Sequence, residues 1–175
     1  MPNLTHKAAA ALILKKTGIA RSPLWPATRK KFLAKMPKCA ACDETVKVEV
    51  HHMYPFHYVV DCGRPDLELD DRNFVTLCER PDRDHHLLVG HLDDWQSYNS
   101  PKKPAQLAAF IKKYSGKSLQ EIKADAAFKA ACKLKFKHLD KMTVAERAAF
   151  KQMLDALWPH KPAMMAKAVK ARVNL

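Results

Sequence analysis

Apolar positions along this chain follow several rhythms, and each rhythm predicts a different element. Residues 4–17 gather "AAAALIL" ahead of Lys15 and Lys16, which predicts a short amphipathic helix stopped at Gly18. "RSPLWPATRKKFLAKMPK" starts a second helix after Pro26, anchored by Phe32 and Leu33 and basic on its outer face. "VKVEVHH" (46–52) alternates β-branched and polar residues and predicts a strand, as does "NFVTLC" (73–78). Between them Met53 to Arg72, rich in Pro, Asp and Gly, reads as loop. "DHHLLVGHLDDWQSY" reads as a helix.

Beyond "NSPKKP" the text changes to Ala, Lys and Leu, the composition of surface helices. Phe128, Cys132, Phe136 and Leu139 fall at helical spacing and make one apolar stripe, so Cys132 reads as a core residue. Thr143 and Glu146 form a capping-box signature before a helix whose Phe150, Met153, Leu154 and Leu157 share a face. Pro159 and Pro162 break it. The lysine-rich tail after Pro162 is either a last helix or partly disordered. Strands and helices together predict an α+β fold.

Charge divides the 175 residues into three. Residues 1–47 carry ten Lys/Arg against two Asp/Glu, residues 48–101 carry four against eleven, and residues 102–175 carry seventeen against five. The total is +13. Basic flanks suit a polyanion, since neutralising phosphates releases counterions. An acidic middle repels DNA unless a cation stands among its carboxylates. No apolar run is long enough to cross a bilayer. Five cysteines with no export signal argue against a disulfide framework and for a reducing cytoplasm, where close cysteines are more often metal ligands.

The candidate ligands crowd into the middle. Cys39 and Cys42, in "CAAC", have the separation that lets two thiolates reach one tetrahedral Zn²⁺. Cys78 closes the second strand, and His85 is the nearest candidate for a fourth ligand. On a strand, His51 and His52 point to opposite faces and must do different work. Glu49 shares the face of His51 and is placed to orient it. His6, His57, His138 and His160 have no such context and read as surface residues or as satisfied locally. Cys62 reads as a spare thiol. Trp95 and Tyr98 read as packing residues.

"CAAC…VEVHHMYPFH…LELDDRNFVTLCE…HHLLVGHLDDWQSYN" resembles the HNH endonucleases, the zinc-knuckle branch of the ββα-metal nucleases, over about residues 21–100. The resemblance implies His51 and His86 as ligands of a catalytic divalent ion, with His91 as a third. It also implies His52 as general base, and Asn73 as the residue whose backbone hydrogen bonds hold the loop near that base. Relatives with four cysteines place the second pair two residues apart. Here "ERPDRD" intervenes and a histidine replaces the cysteine, so His85 and His86 can exchange roles.

The implied protein is a DNA endonuclease acting mainly through backbone phosphates, with a structural Zn²⁺ and a catalytic Mg²⁺ or Mn²⁺, Ni²⁺ and Zn²⁺ also suiting imidazole. Its parts would be a basic helical arm (1–36), the nuclease module (37–100) and a lysine-rich helical region (101–175). The last would present lysines to phosphate, and its deletion would leave the catalytic centre intact. The alternatives are a non-catalytic zinc module that binds nucleic acid, and a phage structural protein that keeps the module as scaffold.

Overall fold

The computed structural model describes residues 5–99, 103–134 and 141–173. Helix α1 spans His6–Thr17. The Thr5 hydroxyl accepts from the Ala8 N–H at its start, and Gly18 ends it at φ 67°, a left-handed conformation that favours glycine. Helix α2, Trp25–Lys35, carries Pro26 in its first turn, where a missing N–H costs no helical hydrogen bond. Its Phe32 packs with Val50 and Phe74, and Trp25 and Leu33 lie alongside.

Two strands, β1 (Val48–His52) and β2 (Phe74–Cys78), pair antiparallel with Val48 opposite Cys78 and His52 opposite Phe74. β1 begins two residues later than the alternation predicts, because Lys47 turns the chain at φ 52°. The segment between the strands is not a loop. It folds as helix α3 (Phe56–Asp61) and two 3₁₀ turns, Pro65–Glu68 and Asp71–Asn73. Elements this short show no apolar period. The helix expected over residues 84–98 is also corrected: a single π-helical turn, His86–Gly90, is followed by left-handed Leu92 and Asp93, which end it.

Five helices follow: α4 (Pro104–Tyr114), α5 (Leu119–Ala124), α6 (Ala126–Lys133), α7 (Val144–Leu157) and α8 (Pro162–Val173). The tail is therefore helical. Thr143 and Glu146 make the capping box reciprocally, and Phe150 and Leu154 are buried. Phe128 is buried and Cys132 half-buried. Phe136, His138 and Leu139 lie outside the described residues, as does the side chain of His6.

One core runs through the middle and C-terminal segments together. Tyr54 packs edge-on against Phe150 and Trp158 at 5.9 and 5.3 Å, and Leu107, Ile111, Ile122 and Phe128 join Leu88, Leu92 and Tyr98. Truncating one such aromatic to Ala costs about 3–5 kcal/mol. The C-terminal helices are thus part of the fold that supports the site.

Candidate functional site

Two clusters of ligand-type side chains form on either side of the short sheet. Cys39 and Cys42 sit in a tight turn whose exit, Asp43, is left-handed, and the Ala41 N–H points at Cys39 Sγ, 3.4 Å away. Cys78 ends β2. Arg80, paired with both Glu44 and Asp82, folds the intervening loop back and delivers His85. Cys42 Sγ lies 3.8 Å from Cys78 Sγ, and His85 Nδ1 lies 3.3 Å from Cys78 Sγ and 3.7 Å from Cys39 Sγ. A tetrahedral ion with bonds of about 2.3 Å to sulfur needs ligand atoms about 3.8 Å apart, so the four residues fit Zn²⁺. Their hydrogen bonding lowers the Cys39 pKa and holds Cys78 up, to about 12.

The second cluster comprises His51, His86 and His91, each able to place a ring nitrogen within 4.8 Å of the others'. The grouping separates the adjacent pair: His85 belongs with the cysteines and His86 with the histidines. The three rings are 5.0–5.2 Å apart, centre to centre. His86 Nδ1 lies 2.7 Å from Glu79 Oε1, and His91 Nδ1 lies 2.6 Å from the Ser97 carbonyl oxygen. Each ring is thus oriented through Nδ1 by an outer partner, as metal-binding histidines usually are. Gly90 makes room for the third ring. A Cβ there would meet the His51 imidazole at 2.8 Å. Trp95 packs on His86 and His91.

His52 faces the other way, between Trp25 and Phe74. Its Nε2 lies 3.0 Å from the Glu68 carbonyl oxygen, which can only accept, so the ring proton is on Nε2. Nδ1, approached by Arg21 Nη1 at 3.4 Å, keeps its lone pair. Burial, with the charge of Arg21, holds the pKa of His52 well below the ordinary 6.5. It is a neutral base at neutral pH. Asn73 fixes the loop beside it: Oδ1 accepts from the Tyr54 N–H, and Nδ2 donates to the carbonyls of Tyr54 and Leu67, all at 2.8–3.0 Å. Glu49 lines the same cavity as His51, but its carboxylate is gripped by Arg29 Nε and Nη2 at 2.8 and 2.6 Å. The carboxylate that contacts a histidine of the cluster, His86, is Glu79.

Among the described residues the carboxylates of the acidic middle form no cluster that could hold an ion, contrary to the expectation from charge. Its carboxylates pair with basic side chains, many of them from the flanks. Asp66, Glu68 and Asp70 are wholly buried. Arg64, also buried, bridges Asp66 to Asp155 of α7; Lys161 reaches Asp70; Arg172 of α8 pairs with Glu68; and Arg147 pairs with Asp61. The loop is a docking surface for the C-terminal helices.

The remaining residues fall outside the clusters. His57 is buried against Tyr58, not on the surface, and His160 pairs with Asp155. The Cys62 and Cys132 thiols donate to the carbonyls of Val59 and Leu92, and burial pushes Cys62 up to about 11. Tyr98 packs on Tyr58. Sequence reading missed Glu79, Arg21, Arg172 and Gly90. For Gly90 a signal exists: it interrupts an apolar run between two histidines.

A cavity of about 380 Å³ opens onto His51, His52, His86 and His91. Ala9, Ile13 and Leu14 of α1 form part of its wall. Among the described residues no helix is long and apolar enough to cross a membrane. Compared with known proteins, the chain matches no family model, no curated protein and no solved structure.

Proposed function

We propose that this chain is a metal-dependent endonuclease of the HNH type that hydrolyses DNA phosphodiester bonds. The observation that carries the reading is the pairing, on consecutive residues of one strand, of a histidine in a three-histidine cluster with a buried neutral histidine that lines the same cavity and whose Nδ1 is approached there by Arg21.

His51, His86 and His91 would hold the divalent ion, Mg²⁺ or Mn²⁺ in the cell, with Ni²⁺ or Zn²⁺ also suited to imidazole. It would supply Lewis-acid stabilisation of the negative charge that grows on the phosphate during displacement. His52 Nδ1 takes a proton from water as the water oxygen forms its bond to phosphorus and the bond to the 3′ oxygen breaks. That oxygen leaves with a proton from solvent. The 3.4 Å approach of Arg21 is too long for a strong hydrogen bond, and the water would enter there. Arg21 stacks on Trp25 and Phe56, so its charge stays at the mouth when the bond is given up.

Cys39, Cys42, Cys78 and His85 would hold Zn²⁺ as a staple, since the two-stranded sheet alone buries little. Lys7, Lys15 and Lys16 of α1 and Lys30 and Lys31 of α2 are exposed and would hold the DNA backbone. Plasmid nicking tests the reading. Supercoiled DNA should be relaxed by purified protein with Mg²⁺ or Mn²⁺ and left intact under excess chelator. DNA that is bound but never cut with any of the four ions would leave a zinc-stapled binding protein.

A further inference from the structure

The last helix ends beside the proposed base, and its single arginine touches both segments that hold the base's ring. Arg172 pairs with the Glu68 carboxylate, and its Nη1 donates to the Ala20 carbonyl at 3.0 Å. The other Glu68 oxygen accepts from the Ser22 N–H at 2.9 Å. Arg21, between those two backbone contacts, approaches His52 Nδ1, while the Glu68 carbonyl accepts from His52 Nε2. Both nitrogens of the ring therefore face groups bracketed by Arg172. The Glu68 side chain is wholly buried, and that of Arg172 is 16% exposed.

Two simpler roles fit less well. An arginine buried against a carboxylate is not offered to a phosphate. As a staple for the C-terminal helices Arg172 would be redundant, because Arg64 with Asp155 and Lys161 with Asp70 already join them to the same loop. Neither of those pairs includes a group that contacts His52.

We propose that Arg172 is a positioning residue for His52. It holds the Glu68 carbonyl and the Arg21 guanidinium where they keep the imidazole in one neutral tautomer, with the proton on Nε2 and the lone pair on Nδ1. The hydrogen bond made by one ring nitrogen decides the state of the other. Loss of Arg172 leaves the Ser22–Glu68 hydrogen bond alone to join the 20–22 segment to the Glu68 turn, and the ring then samples both tautomers. The inference rests on His52 being the base of the nuclease reading, although its structural half can be read without activity.

The test uses the full chain labelled with ¹⁵N at histidine, comparing wild type, Arg172→Gln and Arg172→Lys, with the His52 signals assigned by their absence in His52→Ala. Wild type should show one tautomer, protonated on Nε2. Arg172→Gln should show a mixture of both, with kcat for nicking lowered about ten- to a hundred-fold and KM changed much less. Arg172→Lys, which keeps the charge but reaches one partner instead of two, should fall between. A wild-type tautomer and kcat in Arg172→Gln, or a loss confined to KM, overturns the proposal. Should Arg172→Gln not fold, judged by circular dichroism and zinc content, Arg172→Lys decides: a mixed tautomer supports the proposal and a wild-type ring overturns it. A wild-type protein that never cuts DNA defeats the nuclease reading, while the ring signals still decide whether Arg172 positions His52.

Discussion

His52 Nε2 and the Glu68 carbonyl oxygen are 3.0 Å apart, and that bond fixes which face of the imidazole can act as a base. His51, one residue earlier, turns its ring to the other side of the strand, toward His86 and His91. In the proposed nuclease, alternation along a single strand would thus separate ion binding from proton transfer.

His52→Ala should therefore remove cleavage without removing metal. A positioned general base contributes about 10²- to 10⁴-fold, so plasmid nicking should fall by at least that factor. Elemental analysis should still find the zinc, because the cysteine cluster does not use this ring. Nicking at the wild-type rate would end the assignment.

Gly90→Ala should damage the three-histidine cluster selectively. Alanine favours helix over glycine by about 1 kcal/mol, so propensity alone predicts a more stable π turn. The added Cβ, however, would sit 2.8 Å from the His51 ring, and the ring must move. Calorimetric titration should show Mn²⁺ affinity lowered about ten- to a hundred-fold, with thiolate-bound zinc unchanged. Unaltered Mn²⁺ binding would mean that His51 is not a ligand.

Cys39→Ser should lose zinc and stability together, whereas Cys62→Ser and Cys132→Ser should lose neither much zinc nor much stability. Structural Zn²⁺ contributes folding free energy directly, so chelation of the wild type should mimic the Cys39 variant. Thermal melts followed by circular dichroism, with zinc assayed in the same samples, distinguish the three. Equal zinc in all of them would remove the knuckle.

The cysteine cluster was legible in the sequence because cysteines at such separations are rare and their chemistry is local, and the grouping of His51, His86 and His91 came from the family resemblance. The opposed faces of His51 and His52 followed from strand alternation alone. The acidic loop was not legible. Asp66, Glu68 and Asp70, the carboxylates of "DLELD" in the stretch that reads as loop, are all buried. Their partners explain the failure: Arg172 is 104 residues from Glu68, and Lys161 is 91 from Asp70. No local pattern carries such a pairing, and net charge per segment pointed to an ion where there are arginines and lysines.

That shared core also reverses what the sequence implies about truncation. Without residues 102–175, Tyr54, Tyr58, Leu88 and Leu92 lose Leu107, Phe150, Leu154 and Trp158 from their cluster. The shortened protein should aggregate or melt below room temperature instead of cutting DNA weakly. Soluble, zinc-replete, active 1–101 would show that the nuclease segment folds alone.

The buried carboxylates make docking of the C-terminal helices sensitive to acid. Burial pushes the Asp70 pKa up, but hydrogen bonds from Arg72 and Lys161 outweigh it and hold the group below its ordinary 3.8. Asp155, bonded to Lys151 and Arg64, is lowered in the same way. A group whose pKa is lower folded than unfolded stabilises the fold fully above the unfolded value and loses that contribution as pH falls through the folded one. Wild type should thus be more stable than Asp70→Asn by about 2 kcal/mol near neutrality, the scale of a charge-assisted hydrogen bond. The gap should close below about pH 4, as the carboxylate takes up its proton. Zinc release and histidine protonation in acid affect both proteins alike, so the difference between the two denaturation curves isolates Asp70. A gap that stays constant from neutrality into acid would mean that the charge of Asp70, paired with Arg72 and Lys161, adds nothing to stability.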